Sequence, residues 1–112
     1  MSQIIEIDPA HAYQLTLDNE AILIDVRENN EIIQAAIEGA IHIPMSLFNP
    51  SLIPIEDDKK IIFLCTHGIR SLQVSNYLIA QGIIKDAYNL SGGLAAWIQE
   101  GLPIQTDNEN IN

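Results

Sequence analysis

The sequence is short of basic residues, of cysteine and of long apolar runs, and each shortage closes off a class of function. Five Lys and Arg stand against fifteen Asp and Glu, for a formal net charge of -10. Phosphate backbones are bound by clustered Lys and Arg, so this balance argues against nucleic acid as a partner. Anionic membrane surfaces are disfavoured on the same ground. No stretch approaches the roughly 18 uninterrupted apolar residues of a membrane-spanning helix. With Cys65 as its only cysteine, the chain has neither an internal disulfide nor a Cys-rich zinc site. A reducing compartment fits that count. The first residues, MSQIIEIDPAH, lack the basic flank and apolar run of a secretory signal. The cytoplasm is therefore the expected location.

What is present is enough for one domain. At 112 residues, about two-thirds of the unfolded surface can be buried. Ile4–Ile7 alternates apolar and acidic residues, as a half-buried strand does. Asp8-Pro9 then reads as an N-cap followed by Pro at the first helical position, opening a helix to about Asp18. Ala21–Val26 is apolar except for Asp25, the pattern of a strand covered on both faces. A short helix is expected over Glu28–Ala36, broken by Gly39, and a third strand over Ile41–Ile43. Met45–Asp58 reads as a connection with at most a turn or two of helix. Ile61–Leu64 is the fourth strand. Ser71–Gln81 is the clearest helix, with Leu72, Val74, Ser75, Leu78 and Ile79 forming its apolar face and Gly82 its stop. Ala87–Leu90 is the fifth strand, and Leu94–Glu100 the last helix. Strands alternating with helices predict an α/β domain with a largely parallel sheet. The domain is expected over residues 1–104, with 105–112 a polar C-terminal tail.

In such sheets ligands bind beyond the carboxyl ends of the strands. Cys65 falls at such an end, and so does Arg27 if its strand runs parallel. Taken alone, a Cys closing a strand is most often a small buried hydrophobe. Its neighbours point elsewhere. Thr66, His67, Gly68 and Ile69 form a loop too short to fold back without special backbone geometry, and Gly68 supplies the freedom for it. Successive N–H groups of such a loop can face one concavity and bind an anion. The helix that follows adds its unsatisfied N–H groups and the positive end of its dipole. Ser71 is placed to cap that helix, and Arg70 adds a planar donor fork suited to oxyanions. Each of these favours thiolate over thiol.

The segment Cys65–Ser71 resembles the active-site loop of the rhodanese (thiosulfate sulfurtransferase) family in its small single-domain form. Cys65, Gly68, Arg70 and Ser71 stand where that loop carries its nucleophile, its glycine, a frequent arginine, and Ser or Thr. Three further stretches resemble the same family in the same order. Leu23–Glu28 is similar to its Asp-Val-Arg signature. Gly39-Ala40 with Ile43-Pro44 is similar to the second half of its Gly-His-Ile-x-Gly-Ala-x-x-Ile-Pro signature. Ala87–Gly93 followed by Trp97 is similar to its late strand, Gly-Gly turn and Trp-bearing helix. Ala35-Ala36 departs from it, standing where the family has Gly-His.

The resemblance implies a three-layer domain with a central, mostly parallel five-stranded sheet flanked by helices. It implies a two-step sulfur transfer. Cys65 takes the outer sulfur of a small anionic donor such as thiosulfate as a persulfide. A thiophilic acceptor, cyanide or a small or protein thiol, then removes it. Cys65 is the catalytic residue in that scheme. Thr66, His67, Gly68, Ile69, Arg70 and Ser71 bind substrate, with Arg70 on the donor's sulfonate oxygens. No metal or organic cofactor is required. Asp25 needs a partner if buried; Arg27 or a backbone N–H serves, and structural support beneath the site is the expected role of both. Cys65-x-His67 is too thin for a metal site. Two other functions suit the same loop. One is a persulfide carrier or interaction module in a sulfur relay. The other is a cysteine phosphatase or arsenate reductase, disfavoured because only four residues separate Cys65 from Arg70, one fewer than in the phosphatases the family resembles.

Overall fold

The computed structural model describes residues 3–56 and 58–106. Five parallel strands form the central sheet in the order β1-β6-β5-β2-β4. They are β1 (Gln3–Ile7), β2 (Ala21–Asp25), β4 (Ile41–His42), β5 (Lys60–Leu64) and β6 (Asp86–Leu90). The central position of β5 explains why its sequence is apolar without alternation: it is covered on both faces. Ile62 and Leu64 face the cluster built with Ala12, Leu15, Leu94 and Trp97, on helices α1 (Pro9–Leu17) and α4 (Gly93–Gln99). Ile61 and Phe63, with Cys65 beyond the strand, face the cluster built with Val74 and Leu78, on helix α3 (Ile69–Ala80). The result is a three-layer α/β domain.

The local signals act as expected at α1. Asp8 caps it, its carboxylate accepting from the His11 N–H at 2.8 Å, and Pro9 occupies the first turn. Trp97 is buried in the core, edge-on to Tyr13 with ring centroids 5.5 Å apart. Its indole N–H donates to the Pro103 carbonyl at 2.8 Å, which fastens the chain beyond α4.

Three boundaries differ from the sequence reading by two residues or more. Helix α2 covers only Asn29–Gln34, because Ala35 turns extended (φ -163, ψ 139) and, with Ala36, forms β3. That strand pairs antiparallel with β7, Gln105–Thr106. The first two residues assigned to a polar tail are thus paired in a ladder, and the rest of that tail lies outside the described residues. Helix α3 begins at Ile69 rather than Ser71, because Gly68 takes the left-handed conformation (φ 98) and is itself the cap. The connection between β4 and β5 holds two short 3-10 turns, Met45–Leu47 and Pro50–Leu52. No helix among the described residues is long and apolar enough to cross a membrane.

Candidate active site

All five strands of the sheet run the same way, so β2 and β5 end side by side, with Asp25 opposite Leu64. Cys65 is the next residue, 1% exposed. The chain then turns through Thr66, His67 and Gly68 into α3. The turn is held from outside by its carbonyls. The Leu94 N–H donates to the Cys65 carbonyl at 2.8 Å and the Ala95 N–H to the Thr66 carbonyl at 3.0 Å. The Asn89 side-chain amide donates to the Gly68 carbonyl at 3.1 Å. With those carbonyls engaged, the N–H groups turn inward. Gly68 donates to the Cys65 Sγ at 3.1 Å and Ser71 at 3.4 Å, and the Ser71 hydroxyl lies 3.4 Å from the same sulfur.

Burial pushes the Cys65 thiol towards its neutral form. The Ser71 hydroxyl and the N–H groups of Ser71, Gly68 and His67 push the other way and prevail, so its pKa lies below the ordinary thiol value. The N-terminus of α3 adds its dipole in the same direction, a contribution of about 0.3–1 kcal/mol. The site is a thiolate nest made mainly of backbone.

The remaining predicted residues fall in different places. His67 is exposed on the loop, and Ile69, at the start of α3, is 69% exposed. Ser71 is fully buried in the first turn of α3, where its hydroxyl donates to the Asn89 side-chain oxygen. Arg70 is half-buried, and its fork is occupied. It makes two parallel bonds to the Glu31 carboxylate, at 2.7 and 2.9 Å, and a third to the Thr66 hydroxyl at 3.0 Å. The Thr66 hydroxyl in turn donates to Glu31 at 3.0 Å. The Arg70 guanidinium holds the Glu31 carboxyl down at about 2, and the carboxylate pushes the Arg70 pKa upward. Asp25 and Arg27 form a buried ion pair at 2.9 Å, and the same guanidinium nitrogen donates to the Ala35 carbonyl at 2.7 Å. That pair ties the end of β2 to β3. Among the described residues no group of three or more His, Cys, Asp or Glu is arranged to hold a metal.

The sequence reading missed three contributors. Glu31 stands in the first turn of α2, and its signal was the reciprocal cap with Glu28. Asn89 is a buried amide inside an apolar strand, a residue that always needs partners. Gly93 was read as part of a tight turn, yet it has a more specific task. A Cβ there would strike the Cys65 carbonyl oxygen and lie 2.5 Å from that of Thr66.

A family model for the rhodanese-like domain matches residues 8–100. The chain belongs to the rhodanese-like domain family. Among its relatives, a sulfurtransferase of Allochromatium vinosum is 38% identical over 100 residues, covering 88% of this chain and 92% of that protein. The thiosulfate sulfurtransferase GlpE of Haemophilus influenzae is 34% identical over 105 residues, covering 90% and 94%. The crystal structure of a rhodanese-related protein from Thermoplasma volcanium superposes with a TM-score of 0.75 at 32% identity, covering 90% of this chain and 97% of that one. The segment that resembles the family's active-site loop, Cys65–Ser71, is the turn from β5 into α3.

Proposed function

We propose that this domain is a sulfurtransferase that carries sulfane sulfur as a persulfide on Cys65. The observation that carries the proposal is the convergence of the Gly68 and Ser71 N–H groups and the Ser71 hydroxyl on one sulfur. These groups favour the thiolate, which is the attacking form. After transfer they face the sulfur chain and stabilise negative charge there, as donors do for any developing anion. The relatives named sulfurtransferases support the same chemistry.

The cycle has two steps. The Cys65 thiolate attacks the outer sulfur of the donor, the donor's own bond to that sulfur breaks, and the electron pair leaves with the donor. A thiolate or cyanide then attacks the outer sulfur of the Cys65 persulfide and regenerates the thiolate. No net oxidation or reduction of the protein occurs over the cycle. Thr66, His67, Gly68, Ile69, Arg70 and Ser71 frame the transfer. Asp25 and Arg27 support the loop from beneath. The reducing cytoplasm is the setting that suits a free thiol of this kind.

Intact-protein mass spectrometry tests the proposal. Incubation with a low-molecular-weight persulfide, and separately with thiosulfate at high concentration, should add one sulfur atom that cyanide then removes. Cys65→Ser should show no such adduct. If neither donor loads the wild-type protein, or Cys65→Ser loads equally, sulfur transfer through Cys65 is wrong.

A further inference from the structure

The end of the sheet that holds Cys65 offers no uncommitted arginine or lysine among the described residues. The chain has two arginines and three lysines. Arg27 is buried on Asp25, and Arg70 is held by both oxygens of Glu31. Lys59, Lys60 and Lys85 precede or open β5 and β6, at the amino ends of those strands. Cys65 follows the carboxyl end of β5. With about 3.3 Å per residue, Lys60 sits about 16 Å from Cys65 along the strand. That is about twice the screening length of about 8 Å at physiological ionic strength. Acidic residues, by contrast, do stand at the same end as Cys65. Glu6 of β1 accepts from Asn89, Glu28 caps α2, and Glu31 stands beside the loop.

We infer that Glu31 sets donor specificity by neutralising Arg70, and that the donor is a persulfide on an uncharged or cationic carrier rather than dianionic thiosulfate. This rests on the sulfur-transfer reading above and adds the substrate class to it. The carboxylate of Glu31 occupies the donor fork that a sulfonate group would need. It cannot be displaced by protonation near neutral pH, since its pKa is held at about 2. A thiosulfate dianion reaching Cys65 therefore meets a neutral ion pair within an acidic protein. A persulfide R–S–SH needs no such cation. The Cys65 thiolate forms a bond to its outer sulfur, the donor's S–S bond breaks, and its electron pair leaves on R–S⁻. The proton stays on the transferred sulfur. The exposed, apolar Ile69 beside the nest suits an uncharged carrier better than a sulfonate.

The test compares persulfidation kinetics of Cys65 with thiosulfate and with 2-hydroxyethyl persulfide as donors. Wild-type protein should load from the persulfide with at least about tenfold higher kcat/KM. Glu31→Gln should lower KM for thiosulfate about tenfold, the equivalent of about 1.4 kcal/mol, and shift the thiosulfate-to-persulfide preference by about the same factor. The double variant Glu31→Gln/Arg70→Gln, whose mouth is again neutral, should lose the gain on thiosulfate that Glu31→Gln alone gives. The inference is overturned if wild type prefers thiosulfate, if Glu31→Gln leaves its KM unchanged, or if the double variant falls tenfold or more below wild type on it, since Arg70 would then be holding the donor. Loading from neither donor would instead overturn sulfur transfer itself.

Discussion

At the scale of single residues, Ser71 decides how the thiol ionises. Its hydroxyl has one proton and two claimants. The Asn89 amide is oriented by donating to the Gly68 carbonyl and to Glu6, at 3.1 and 2.9 Å, so its oxygen faces Ser71 and takes that proton while Cys65 is neutral. When Cys65 ionises, the proton gains by swinging to sulfur. A hydrogen bond to a charged group contributes about 1.5–3 kcal/mol, and the neutral one given up about 1 kcal/mol. The difference favours the thiolate. Ser71→Ala should accordingly raise the Cys65 pKa, read from the pH profile of iodoacetamide alkylation. An unchanged profile would leave the backbone amides as the whole cause, and a lowered pKa would make Ser71 an acceptor for the thiol proton. The nucleophile and its loop were legible in the sequence because Cys, Gly, Arg and Ser there are local in the chain. Asn89 and Glu31 were not. Asn89 lies 18 residues from Ser71, and Glu31 lies 39 from Arg70.

At the scale of elements, the site depends on α4 as much as on α3. The α4 N–H groups hold the loop carbonyls, and Gly93 lets the backbones meet. Its φ of +63 strains any side chain, and its Cβ would collide with backbone oxygens that cannot move aside. Gly82 is a useful control, with φ +72 but nothing within 4 Å. Gly82→Ala should cost about 1 kcal/mol in urea denaturation, the conformational term alone. Gly93→Ala should cost at least about 2 kcal/mol more and slow Cys65 alkylation, because the nest opens. Equal costs for the two variants would show that the contact carries no stability. Apolar runs, helical spacing and cap signals told where β1, β2, β5, β6, α1, α3 and α4 lie. They were silent on β3 and β7, since two-residue strands such as Ala35-Ala36 carry no alternation to read. They also placed the start of α3 two residues late, because the cap is a glycine conformation rather than a side chain.

At the scale of the molecule, the parallel sheet separates the lysines from the site. The net charge of -10 was plain from composition, but its arrangement was not, because only the strand directions place all three lysines opposite Cys65. The Glu31–Arg70 pair, at the Cys65 end, is in turn a test of acid stability. Glu31 is lowered from 4.5 to about 2, with the Arg70 hydrogen bonds the largest cause. A depressed carboxylate stabilises the fold fully above its unfolded pKa and loses that contribution as pH falls through its folded one. The window is therefore from about 4.5 down to about 2. Glu31→Gln removes the titrating group while keeping the side-chain shape. Wild type should be the more stable of the two at pH 7, and the difference between them should shrink steadily as pH drops across that window. Urea denaturation midpoints at several pH values measure it. A difference that stays constant from pH 7 to pH 2 would mean the bonds between α2 and the loop do not depend on the carboxylate's charge, and Glu31 would then neutralise nothing at the mouth of the site.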